Sequence, residues 1–82
     1  TDGRVILDVE GYRERRYAAL RTLAMRVAER VAATGRPITL EPMAPNERRI
    51  IHVTLADHPQ VTTESIGAGE SRQVTISPRR PS

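Results

Sequence analysis

Leu20, Leu23, Val27 and Val31 recur at i, i+3, i+7 and i+11, which is one apolar stripe of a helix. Ala24 and Ala28 widen it, and Arg15, Arg26, Glu29 and Arg30 take the other faces. Gly35 stands where the residue just past a helix belongs, and Pro37 bars continuation. The pattern predicts a helix over Tyr12 to Thr34, roughly 20 residues or about 30 Å long. Its first turns, Tyr12 to Arg16, are too polar to pack well and read as a helix linking to whatever precedes. A stripe of this length must be covered, so the remaining residues have to supply a second layer.

The material for that layer is limited. The chain has 82 residues, with no Phe, Trp or Cys and two Tyr. A chain this small buries only about 60% of the surface its unfolded form exposes. Its core must come from Val, Ile, Leu, Ala and Met, with Tyr12 and Tyr17 as the large rings. Arg4 to Val9 is mostly apolar and ends at Gly11, which predicts a strand. Pro37 to Pro42 alternates and predicts a short strand, limited by proline at both ends. Pro45 suits the first position of a second helix, with Glu47 in its first turn favoured by the dipole. That helix runs to about Asp57, with Ile51 and Leu55 as its inner seam and His58-Pro59 as its stop. Ala44 is a poor N-cap. Val61 to Ile66 and Arg72 to Ile76 read as a hairpin around Gly67 to Glu70. The predicted fold is α+β: a small three-stranded sheet with two helices on one face, preceded by an extra N-terminal strand.

Charge and composition exclude more than they select. All 13 basic residues are Arg, against 10 acids, for a net charge of +3. Residues 1–35 carry +2, residues 36–71 carry −2, and residues 72–82 carry +3. A mild basic excess permits nucleic-acid binding without demanding it. Without cysteine there is no disulfide framework and no thiolate metal site. No segment has the length of a membrane span or the pattern of a signal peptide, so no membrane insertion and a cytoplasmic location are expected. No nucleophile elbow, zinc spacing or glycine-rich phosphate loop occurs. The sequence therefore predicts a binding module, with no enzyme activity, cofactor, metal or small-molecule substrate.

The chemistry concentrates in the second helix. Arg48 and His52 are spaced i, i+4 and point from one face. The arginine offers a fixed fork of five donors and the histidine a titratable ring, a pair suited to phosphate. Binding through His52 is expected to tighten as the pH falls from about 7.5 to about 6, given a reference pKa near 6.5. Arg49 points about 100° away and either extends the basic patch or pairs with an acid. Arg72 and Arg36 are candidates for lining the same groove, and Arg79 and Arg80 for unspecific phosphate attraction. The competing reading is an interaction module docking an acidic protein surface.

The words around this pair carry a resemblance. Asp8-Val9-Glu10-Gly11-Tyr12-Arg13, Gly35-Arg36-Pro37, Leu40-Glu41-Pro42-Met43, Glu47-Arg48-Arg49-Ile50-Ile51-His52 and Val61-Thr62-Thr63-Glu64-Ser65 come in an order that resembles the R-three-H domain. That family is named for an Arg, three spacers and a His, here Arg48 and His52. The form resembled is that of bacterial Jag (SpoIIIJ-associated, KhpB- or EloR-like) proteins. The resemblance implies a module that binds single-stranded RNA or DNA after a KH domain. It implies a small KH-domain protein as partner of the full-length protein, and a setting in cell elongation, division or sporulation. On this reading residues 1–11 are the tail of a preceding KH-like domain or a linker strand. Residues 12–78 are then the R-three-H domain and residues 79–82 a disordered basic tail. Ala44 and Asn46 depart from the capping and aromatic residues that the family often has there. With no ring at Asn46, base stacking is weakened.

Overall fold

The computed structural model describes residues 9–79. The first helix, α1, spans Val9–Thr34, and the strand β1 covers only Ile38–Thr39. The second helix, α2, spans Pro45–Leu55. Strands β2 (Val61–Ile66) and β3 (Gln73–Pro78) flank a 3-10 turn at Gly69–Ser71. The sheet order is β1-β3-β2, and both pairings are antiparallel. The expected α+β arrangement of two helices and three strands is present. The predicted N-terminal strand falls on residues 4–8, outside the described residues, and on Val9, which is helical.

The helices cover one face of the sheet. In β2, Val61, Thr63 and Ser65 alternate onto the inner face, with Thr62, Glu64 and Ile66 exposed. In β3 the inner face carries Val74 and Ile76, paired with Ser65 and Thr63. On the outer face Thr39 Oγ1 and Thr75 Oγ1 lie 2.9 Å apart as a hydrogen-bonded cross-strand pair. Leu20, Ala24, Ala28 and Val31 of α1 meet Ile51 and Leu55 of α2 over Val61, Val74 and Ile76. Leu40 and Met43 close the end of this core.

Several expectations shift in detail. The apolar stripe of α1 is rotated towards its alanines. Ala24 and Ala28 are fully buried, whereas Leu23 is 40% exposed and Val27 only partly buried. Small side chains let the second helix and the sheet approach closely, and Leu23 is left on the rim. Helix α1 also starts three residues before Tyr12 and runs through Gly11. A single helical glycine costs about 1 kcal/mol, which the strong formers that follow absorb. Past its end, Gly35 has φ +71° and donates its N–H to Val31 O at 2.8 Å, the cap expected of it.

The segment predicted as a strand over 37–42 is regular for two residues only. Leu40 N–H still bonds Val74 O, and Met43 N–H bonds Arg72 O, so the chain follows β3 irregularly past Pro42. Strand β3 begins at Gln73 rather than Arg72 and extends to Pro78, because β2 offers partners along its whole length. Helix α2 stops at Leu55 rather than near Asp57, in a turn where Ala56 and His58 donate N–H groups to Val53 O and Leu55 O. Arg79 donates its N–H to Gln60 O and Nη2 to Val61 O. The rest of the predicted tail, residues 80–82, lies outside the described residues.

Alanine at position 44 gives α2 no side-chain cap, and only the returning half of a capping box exists: Ala44 N–H donates to Glu47 Oε1 at 3.4 Å. Ala44→Ser is expected to add about 1 kcal/mol of stability by accepting a free N–H at the helix start. An unchanged midpoint in urea denaturation counts against this account.

Candidate nucleic-acid interface

The face of α2 next to its apolar seam turns towards β2 and the 67–72 turn. His52 bridges the two elements. Its Nδ1 lies 2.7 Å from Thr63 Oγ1 and its Nε2 lies 2.8 Å from Ser65 Oγ. The ring is half-buried, and both nitrogens are occupied within the protein.

Arg48 stands one turn before His52. Its Nη1 donates to Met43 O at 3.4 Å, which holds the side chain back along the start of the helix. Arg72 approaches from the other side, with Nη1 donating to Gly67 O at 2.7 Å. Gly67 is required there. Its φ is +90°, and a Cβ would stand 3.2 Å from Ser71 O. The carbonyl that positions Arg72 thus comes from a backbone conformation that other residues rarely adopt.

The proton affinity of His52 records this convergence. Its pKa is lowered from 6.5, first by burial, then by the Arg48 cation and then by the Arg72 cation. Sequence spacing points to the Arg48 effect. It does not point to burial, because nothing in the α2 sequence shows that β2 covers the ring.

Both flanking arginines are held by main-chain carbonyls, and neither has a carboxylate partner among the described residues. Arg16 makes the contrast. Its Nε is bonded to Glu47 Oε2 at 3.0 Å, tying α1 to the first turn of α2 and neutralising both groups. The patch at Arg48 and Arg72 therefore keeps its positive charge and most of its N–H donors.

The other candidates lie apart from this cluster or at its edge. Arg49 is exposed and has no hydrogen-bond or ion-pair partner among the described residues. Arg36 sits beyond the C-terminal end of α1, where it lines a shallow groove with Arg30, Thr34, Pro37 and Ile38. Thr63 and Ser65 are site residues that the sequence expectations omit. Their signal is a break in pattern, since both alternate onto the inner face that Val61 shares. Polar side chains on such a face imply a polar partner, and that partner is His52.

With this geometry in place, comparison with known proteins is decisive. The family model of the R-three-H domain matches residues 18–78. The chain belongs to the R-three-H domain family. Within it, the chain is 51% identical over 77 residues to the RNA-binding protein KhpB of Clostridium symbiosum, covering 94% of this chain and 35% of that protein. It is 46% identical over 76 residues to the RNA-binding protein KhpB of Lactiplantibacillus plantarum, covering 93% of this chain and 24% of that protein. The protein of the same name from Bacillus subtilis is 46% identical over 79 residues, covering 93% of this chain and 38% of that protein. This R-three-H chain thus spans about a quarter to two fifths of the length of these relatives. No helix among its described residues is long and apolar enough to cross a membrane.

Proposed function

We propose that this R-three-H domain binds single-stranded nucleic acid, RNA in preference, and grips phosphates through the face formed by Arg48, His52 and Arg72. The observation that carries the reading is the pair of arginines flanking His52 on carbonyl partners, a local charge of +2 with its forks open. Arginine forks match phosphate oxygens in both charge and geometry. Relatives named as RNA-binding proteins over this same stretch support it. Arg49, on the next exposed position of α2, extends the patch along the strand. Arg36, with Arg30 beside it, is a more remote phosphate contact.

The domain works as one part of a larger cytoplasmic protein with a KH domain before it, and a small KH-domain protein is a partner of the whole. It is a binding module and not a catalyst. With no aromatic platform on this face, backbone charge supplies most of the affinity, and binding by the domain alone is weak. Titrating a short oligouridylate against the protein at several salt concentrations tests this. With Arg48, Arg49 and Arg72 each on one phosphate, log K should fall against log salt with a slope near −2, at roughly −0.7 per phosphate. A slope near zero overturns the reading. Loss of binding to an acidic peptide, rather than to RNA, on removing Arg48 would favour a protein-docking surface.

A further inference from the structure

The two hydroxyls on His52 have a fixed hydrogen-bond arithmetic. A neutral imidazole has one N–H. One hydroxyl accepts it and keeps its own proton for another acceptor. The second must donate to the bare ring nitrogen and then shows only lone pairs outward. A charged imidazole has two N–H groups, so both hydroxyls accept and both of their protons are released. The neutral site thus offers one donor and one acceptor, and the charged site offers two donors. Two phosphate oxygens, which are acceptors only, fit the second arrangement and are repelled at one position by the first.

Resting on the nucleic-acid reading above, we propose that Thr63 Oγ1 and Ser65 Oγ donate directly to a backbone phosphate, which binds together with one proton taken from solvent onto the ring of His52. One N–H bond forms at the ring nitrogen of His52, its proton given up by an acid of the solvent or buffer, and no other covalent bond changes. The proton fills the vacant ring nitrogen, and the hydroxyl proton that had served that nitrogen turns to the phosphate.

The surroundings favour this coupling. From α2 the charged group facing the ring is Arg48, and from the segment leading into β3 it is Arg72. From β2 the ring meets Thr63 and Ser65, while Glu64 alternates to the opposite face of the sheet. Partial burial, and after it the Arg48 and Arg72 cations, favour the neutral form of the free ring. A phosphate lying on those cations cancels their field and restores proton affinity. Thr63 and Ser65 are both partly exposed rather than sealed in the core.

The sign follows from linkage. Affinity is flat above the pKa of the bound state, rises as pH falls towards the pKa of the free state, and is flat again below it. The steepest possible rise for one proton is about tenfold per pH unit. Calorimetric titration of the 82-residue chain with oligouridylate, in buffers of different ionisation enthalpy near pH 7, measures the protons taken up. Net proton uptake is expected, growing as the pH is lowered from about 7, together with tighter binding at lower pH. Thr63→Val with Ser65→Ala should diminish the uptake and flatten the pH profile. If that variant is poorly folded, nitrogen-15 shifts of the His52 ring in the wild-type chain decide the matter. They should pass from a neutral to a charged pattern as RNA is added, and are resolved from those of His58. RNA binding with a normal salt slope, no proton uptake and a ring that stays neutral overturns the proposal but leaves the nucleic-acid reading standing. Absence of salt-dependent binding overturns both.

Discussion

Replacing Arg48 and Arg72 together by alanine should weaken RNA binding about a hundredfold and leave the fold intact. A hydrogen bond to a charged group is worth roughly 1.5–3 kcal/mol. Losing two at the lower end of that range costs about 3 kcal/mol, which at about 1.4 kcal/mol per factor of ten is a hundredfold. The salt slope should shrink at the same time by about 1.4, at roughly 0.7 for each phosphate released. Stability should change little, because each side chain gives the fold a single bond to a carbonyl, at Met43 and at Gly67. Lysine at both positions should restore most of the salt slope but only part of the affinity, since a point charge replaces a planar fork. Oligonucleotide titrations and urea melts of the three proteins measure every term. An unchanged affinity in the double alanine variant would remove Arg48 and Arg72 from the interface.

The second large effect is on the fold. Ile51 is completely buried at the centre of the inner seam of α2, where both helices and the sheet meet. Ile51→Ala should cost about 2–5 kcal/mol, the transfer of the lost methyl groups plus the cavity left behind. A domain with 11 buried hydrophobic side chains among its described residues has little stability to spare. Each kcal/mol is worth roughly 4–8 °C of melting temperature at this size, so the variant should melt about 8–40 °C lower. Exposed Val53, on the same helix, is the control, and Val53→Ala should move the melt by no more than about 0.5 kcal/mol. A similar effect at the two positions would mean that α2 does not pack as described.

Helices and strands are legible in the sequence because their signals are local. The stripe from Leu20 to Val31, the stop at Gly35 and the start at Pro45 each depend on neighbours a few residues away. Legibility falls where partners are distant in the chain. Leu23 and Ala24 compete for the same helix face, and only the approach of α2 decides for the alanine. The 37–42 strand is overestimated because its pairing belongs to β3, more than thirty residues on. In the candidate site, the i, i+4 spacing of Arg48 and His52 can be read directly, whereas Arg72 reaches the ring only through the turn at Gly67. The engagement of His52 by Thr63 and Ser65 is invisible, because no spacing rule links a helix residue to a strand eleven residues later.

The link from Arg16 to Glu47 sets a boundary along α1. It ties that helix to the start of α2 about one turn before Leu20, the first fully buried residue among those described. The turns from Val9 to Arg16 therefore act as a stiff shaft leaving the body of the domain. A shaft of this kind has a phase. Adding one residue to it advances whatever is attached by about 1.5 Å and swings it through about 100°. The direction of any module joined before this helix would therefore be geared to the number of residues in this stretch.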